Sequence, residues 1–133
     1  MRMGRIVLVG ALTLSSAAAM AGLVQSVPVT VTLNADGSGS ANGAMTTARF
    51  SANDVEYIGC GVRKFDDGAG GVISYGFCQA SDEKGNVGFC STENAALLEA
   101  VQSISAYSFI TFAWNKDGTC RLIGNSTQSF YIP

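Results

Sequence analysis

The chain has 133 residues, no histidine, 4 cysteines, 16 glycines, 2 prolines, and 10 acidic against 8 basic side chains. That length allows one domain with a real core and little room for a second. The missing histidine excludes Ser-His-Asp and Cys-His nucleophile systems and imidazole-ligated zinc, a charged content of 14% excludes a polybasic nucleic-acid binder, and 47% hydrophobic residues argue against disorder.

Arg2 and Arg5 precede an apolar run from Ile6 to Leu14, and the small stretch that follows ends with Ala19 and Ala21 in an A-x-A arrangement. This pattern predicts a cleaved export signal over residues 1–21 and one domain over 22–133. A membrane anchor is the competing reading. Thr13, Ser15 and Ser16 dilute the run, however, and no basic stop-transfer cluster follows it. Loss of Arg2 and Arg5 leaves 6 basic against 10 acidic side chains, a balance that disfavours nucleic acid and stable membrane insertion. The expected location is therefore secreted or periplasmic.

Cys60, Cys78, Cys90 and Cys120 are spaced C-x17-C-x11-C-x29-C, with no C-x-x-C pair, which points to two disulfides rather than a zinc site or a redox dithiol. Between Val27 and Leu33 the odd positions are apolar, predicting a half-buried strand that Pro28 marks as an edge. Asn34 to Gly43 reads as a turn-rich loop, and Met45 to Ser51 as a second strand. Val55–Phe65 and Val72–Ser81 flank a glycine-rich turn and predict a hairpin centred on Ala69. That centre sets Cys60 opposite Cys78, Arg63 opposite Tyr75, Phe65 opposite Ile73 and Gly61 opposite Phe77. An aromatic ring would then cover a strand glycine, and Arg63 and Tyr75 could form a cation–π pair. A second turn centred on Lys84 brings Cys90 opposite Cys78. Cys60–Cys90 would skip a strand, beyond disulfide reach. Two pairings remain, and the preferred one is Cys78–Cys90 with Cys60–Cys120, because it ties the C-terminal hairpin to the first sheet.

A helix is predicted from Glu93 to Ser105, capped by Ser91 or Thr92, with Leu97, Leu98, Val101 and Ile104 as its apolar stripe. Ala106–Trp114 reads as a strand apolar on both faces, turning at Asn115–Gly118 and returning through Thr119–Asn125. Gln128–Pro133 is expected to pair at an edge. The fold class is mainly β, a β-sandwich or α+β roll of antiparallel strands with one helix.

Candidate chemistry is sparse. Asn34, Asp36, Ser38 and Ser40 imitate the first half of a calcium loop, but Met45 stands where the closing glutamate belongs, so a solvated turn is preferred and no metal or cofactor is expected. Asp54, Asp66, Asp67, Asp82, Glu83 and Asp117 fall at turns or in loops, which leaves Glu56 as the only carboxylate placed inside a strand. Lys64, Lys84 and Lys116 sit beside turns, poorly placed to act as bases for a serine. Asn125-Ser126-Thr127 is formally a glycosylation sequon. Of the C-terminal aromatics, Phe112, Trp114, Phe130 and Tyr131, with Phe109 beside them, are either core or a spare face for a partner.

The runs YIGCGVR from Tyr57, YGFC and GFCST around Cys78 and Cys90, and the ending NSTQSFYIP resemble in layout small exported bacterial proteins with no assigned activity. The resemblance carries no catalytic residue. The expected function is a non-catalytic binding module for a protein or envelope component. The alternatives are a structural subunit that polymerises through the edges Val27–Leu33 and Ser129–Ile132 and, least favoured, a carboxylate hydrolase.

Overall fold

A computed structural model describes residues 22–133; the proposed leader, residues 1–21, lies outside the described residues. Among the described residues seven strands form two antiparallel sheets. One orders β1 (Thr30–Leu33), β2 (Gly39–Ala44), β6 (Ser108–Trp114) and β7 (Cys120–Thr127); the other orders β3 (Tyr57–Asp66), β4 (Val72–Ser81) and β5 (Val87–Thr92). Two helices, α1 (Met45–Arg49) and α2 (Ala95–Gln102), join them. Val31, Ala41, Ile110, Phe112 and Ile123 of the first sheet and Ile58, Cys78, Ala80 and Cys90 of the second share one buried cluster. The mainly β expectation holds.

The long hairpin forms in the expected register, with Cys60 on Cys78, Arg63 on Tyr75, Phe65 on Ile73 and Gly61 on Phe77. Cys90 pairs with Cys78 as expected. The Phe77 ring does cover Gly61: a methyl group there would stand 2.9 Å from Phe77 Cζ. The guanidinium of Arg63, however, lies 5.0 Å from the centre of Phe77, not over Tyr75. Tyr75 is stacked with Phe65 instead, which leaves the diagonal neighbour to the cation.

The preferred disulfide pairing is corrected. The bonds are Cys60–Cys78 and Cys90–Cys120. Cys60 and Cys78 face each other with Cα atoms 4.0 Å apart, the narrow pair of an antiparallel ladder. Alternation then makes Cys78–Cys90 a wide pair. Cys90 turns instead to β7, where the Ser91 N–H donates to the Gly118 carbonyl at 3.1 Å and Cys120 comes within 5.0 Å, Cα to Cα. One bond braces a sheet and the other bolts the two sheets together.

Four local expectations change for tertiary reasons. The second half of the expected loop Asn34–Gly43 belongs to an inner strand, Gly39–Ala44, because its small side chains leave room for large neighbours: Trp114 occupies the space a side chain at Gly39 would need. Met45–Arg49 is a helical turn, not a strand. Its inward pair, Met45 and Ala48, is spaced by three, which a helical turn puts on one face, whereas Phe50, which alternation would place with Ala48, is exposed; Thr47 Oγ1 accepts the Val27 N–H at 3.0 Å. The later helix starts at Ala95, since Ser91 and Thr92 finish β5; Asn94 Oδ1 caps it by accepting from the Ala96 and Leu97 N–H groups. Asn94→Ala should lower stability by about 1 kcal/mol in urea denaturation. Ser129–Tyr131 is a single 3-10 turn, so the edge expected at Ser129–Ile132 does not exist, although Gln25 N–H donates to the Phe130 carbonyl at 2.8 Å.

Candidate functional site

The three cysteines aligned across the second sheet show which way it faces. Cys78 and Cys90 are fully buried, so the even-numbered residues of β3, β4 and β5 turn inward and the odd-numbered ones outward, apart from Ser81, buried at the end of β4. The outward set includes Tyr57, Phe65, Ile73, Val87 and Phe89, each between 42% and 54% exposed, where a solvated sheet face would ordinarily be polar. Tyr75 and Phe77, half-buried, lie between them.

The rings form one row across the three strands. Phe65 stacks on Tyr75 with centroids 6.0 Å apart, Tyr75 meets Phe77 at 6.1 Å, and Phe77 meets Phe89 at 6.4 Å. Arg63 lies against the row on Phe77. At Gly59, by contrast, a side chain would meet nothing within 4 Å, so the face is open there. The Cys60–Cys78 bond lies directly beneath and holds β3 to β4. The result is a rigid platform with a large apolar area, one cation and a gap.

The sequence-based candidates are distributed differently. Phe112 and Trp114 are core residues, 0% and 5% exposed, and are withdrawn as a partner surface. The face of β6 that carries them, with Ser108 and Ile110, is turned toward the other sheet, and the Trp114 indole N–H donates to the Gly37 carbonyl at 3.1 Å. Phe130 and Tyr131 do come together, edge to face at 4.6 Å, and Tyr131 stacks on Phe109. They line a groove of about 370 Å³ with Val24, Thr46, Phe50 and Ile132.

In the calcium-like loop the oxygens are already engaged. Asp36 Oδ1 accepts from both the Ser38 N–H and the Ser38 hydroxyl, Asn34 Nδ2 donates to Ser38 Oγ, and Ser40 belongs to β2, opposite Thr32. Among the described residues no three His, Cys, Asp or Glu side chains gather as metal ligands. The same turn device recurs. The Ser38 hydroxyl and N–H lower the pKa of Asp36, the Ala69 and Gly71 N–H groups that of Asp67, and the Thr119 hydroxyl and N–H that of Asp117.

At Asp82 burial opposes the charge. Hydrogen bonds from the Asn86 side chain and backbone and from the Lys84 N–H outweigh it, and its pKa is lowered from 3.8. A carboxylate with a depressed folded pKa stabilises above its unfolded pKa, and that stability is lost as pH falls through the folded value. Asp82→Asn should therefore be less stable than the parent at pH 6, and the gap should close below pH 3.8. Urea titrations at several pH values check this. Glu56 lies just before β3, not inside a strand. Its carboxylate accepts from Val29 N–H at 2.6 Å and from Asn53 Nδ2 at 3.1 Å, clasping β1 to the start of β3.

The outward row was missed because the hairpin register was known but its facing was not. A signal was present: cysteines are among the most buried residues, and Cys60, Cys78 and Cys90 in one row mark the inner face. Fold and surface together define a two-sheet, disulfide-braced β domain with an aromatic outer face. Comparison with family models, curated proteins and solved structures found no match.

Proposed function

We propose that this chain is an exported, non-catalytic binding module that recognises a protein or other envelope component with the outer face of β3–β4–β5. The supporting observation is the continuous row of Phe65, Tyr75, Phe77 and Phe89 at the surface. A contiguous apolar area on a rigid sheet costs solubility unless something covers it, and aromatic side chains are enriched where partners dock. Export is supported by the two disulfides, which persist in oxidising compartments. A non-catalytic role is supported by the acidic groups: Asp36, Asp67, Asp82 and Asp117 are held ionised by their own turns, so none is poised as a general acid near neutral pH.

The test is retention of an envelope component by immobilised protein, comparing the parent with a Phe65→Ser, Phe89→Ser double variant. The expected result is a component retained by the parent and lost by the variant at unchanged thermal stability. Equal retention by both, or none at any salt concentration, would reject the reading. The subunit alternative would use the edge of β1 that β2 leaves unpaired, where Glu56 and Asp82 already accept the Val29 and Val31 N–H groups. Sedimentation velocity over a concentration series checks it, and a strict monomer at high concentration removes it.

A further inference from the structure

We infer that the free edge of β3, from Gly59 to Phe65, accepts an extended acidic segment of a partner protein as a fourth strand of its sheet. The inference rests on the binding-module reading and specifies the kind of partner.

Among the described residues β3 pairs only with β4, so its other side is an open ladder there. The 4.0 Å Cα separation of Cys60 and Cys78 identifies a narrow pair. In an antiparallel ladder the residues of narrow pairs turn their N–H and C=O groups away from each other. Cys60, Val62 and Lys64 therefore direct their backbone groups to the unpaired side. Such a row of alternating donors and acceptors is matched by one chemical object, another extended backbone.

Charge narrows the choice. Of the six basic residues of the described segment, Arg63 and Lys64 lie on this edge, and no acid stands between Gly59 and Phe65 although the domain is acidic overall. Arg63 projects on the outer face and Lys64 on the opposite one, whereas Arg49 of α1 shares a pocket of about 240 Å³ with Glu56, Tyr57 and Ile58 where β3 begins. The neighbouring acids flank the segment rather than lie on it: Asp66 and Asp67 stay with their own turn beyond Phe65, and Glu56 holds Val29 before the edge begins. A second copy paired antiparallel through β3 would bring the two basic sets together, whereas an acidic strand meets them with opposite charge.

The open space at Gly59 completes the pattern. It lies on the outer face four residues before Arg63, so an added antiparallel strand would place a carboxylate opposite Arg63 and a large apolar side chain, four positions later, over Gly59.

The probe is a blocked hexapeptide, Glu-Asp-Thr-Val-Thr-Phe, followed by amide chemical shifts and amide exchange of the whole domain. The expected result is perturbation centred on Gly59–Phe65, with slower exchange at Cys60, Val62 and Lys64. N-methylation of both threonines should weaken binding by about tenfold or more, since two backbone hydrogen bonds are lost, whereas N-methylation of the valine, whose N–H points away, should not. Arg63→Glu with Lys64→Glu should cost about tenfold, and raised salt should weaken the parent complex. Equal binding of the threonine-methylated peptide, or perturbation confined to β5 and the ring row, would overturn strand addition while leaving the aromatic-face reading intact. Absence of binding by this peptide and by its reversed sequence would overturn it too, as would β3 shifts that grow with protein concentration alone, which assign the edge to a second copy.

Discussion

Replacing Cys90 and Cys120 together by alanine should lower the unfolding free energy by about 3.5 kcal/mol, the loop-closure value for a cross-link spanning some 30 residues. For a domain of this size that is a fall of roughly 15 °C in Tm. Loop length alone would assign Cys60–Cys78, with a separation of 18, nearly as much. Position separates them. Cys60–Cys78 joins strands already held by a ten-residue ladder, whereas Cys90–Cys120 joins two sheets that share few backbone hydrogen bonds. Cys120 also pairs with Trp114, the only tryptophan. Loss of the inter-sheet bond should therefore shift Trp114 fluorescence as well as the urea midpoint, whereas loss of Cys60–Cys78 should leave the fluorescence in place. Equal spectral effects of the two double variants would contradict the assignment of the inter-sheet role.

Trp114→Ala should cost about 3–5 kcal/mol, the range for removing a buried large aromatic side chain. The reason is its setting rather than its size alone. The indole is 5% exposed, packs on Phe112 at 5.7 Å, and lies between glycines from both sheets. A methyl group at Gly88 would stand 2.7 Å from Trp114 Cη2, and one at Gly39 would run into both the ring and the Thr32 carbonyl. The two glycines have made room for this ring, so its removal leaves a hole that neither can fill. The indole N–H bond to Gly37 is lost as well. The complementary change, Gly88→Ala, should destabilise by about 1–3 kcal/mol through overcrowding. Equilibrium urea unfolding measures both, and a Trp114→Ala cost below about 1 kcal/mol would mean that the sheets close over the gap.

Several parts of this architecture were legible in the residues. The alternation through Val29 and Val31, the glycine turn at Asp66–Gly71 and the second turn near Lys84 are local signals; the first marks β1 as a strand, and the turns place β3, β4 and β5 in their observed register. The α2 stripe was legible for the same reason, with Val101 buried and Leu97 and Ile104 packed on the core. Errors arose where local preference was weak. The Gly39–Ala44 segment has poor strand propensity and is held in place by β1 and β6 on either side. Seven residues from Met45 suited helix and strand alike, and packing against β3 decided between them.

The chain by itself determined a cysteine-bridged, strand-rich domain without histidine chemistry, because composition, turn glycines and alternation are properties of neighbouring residues. Tertiary structure decided which cysteines bond, which aromatic residues are inside and which outside, and where an edge stays open. Phe112 and Phe89 both belong to short strands, yet one is buried and the other half-exposed. A strand has two faces, and only the sheet packed against it selects the one that leaves water.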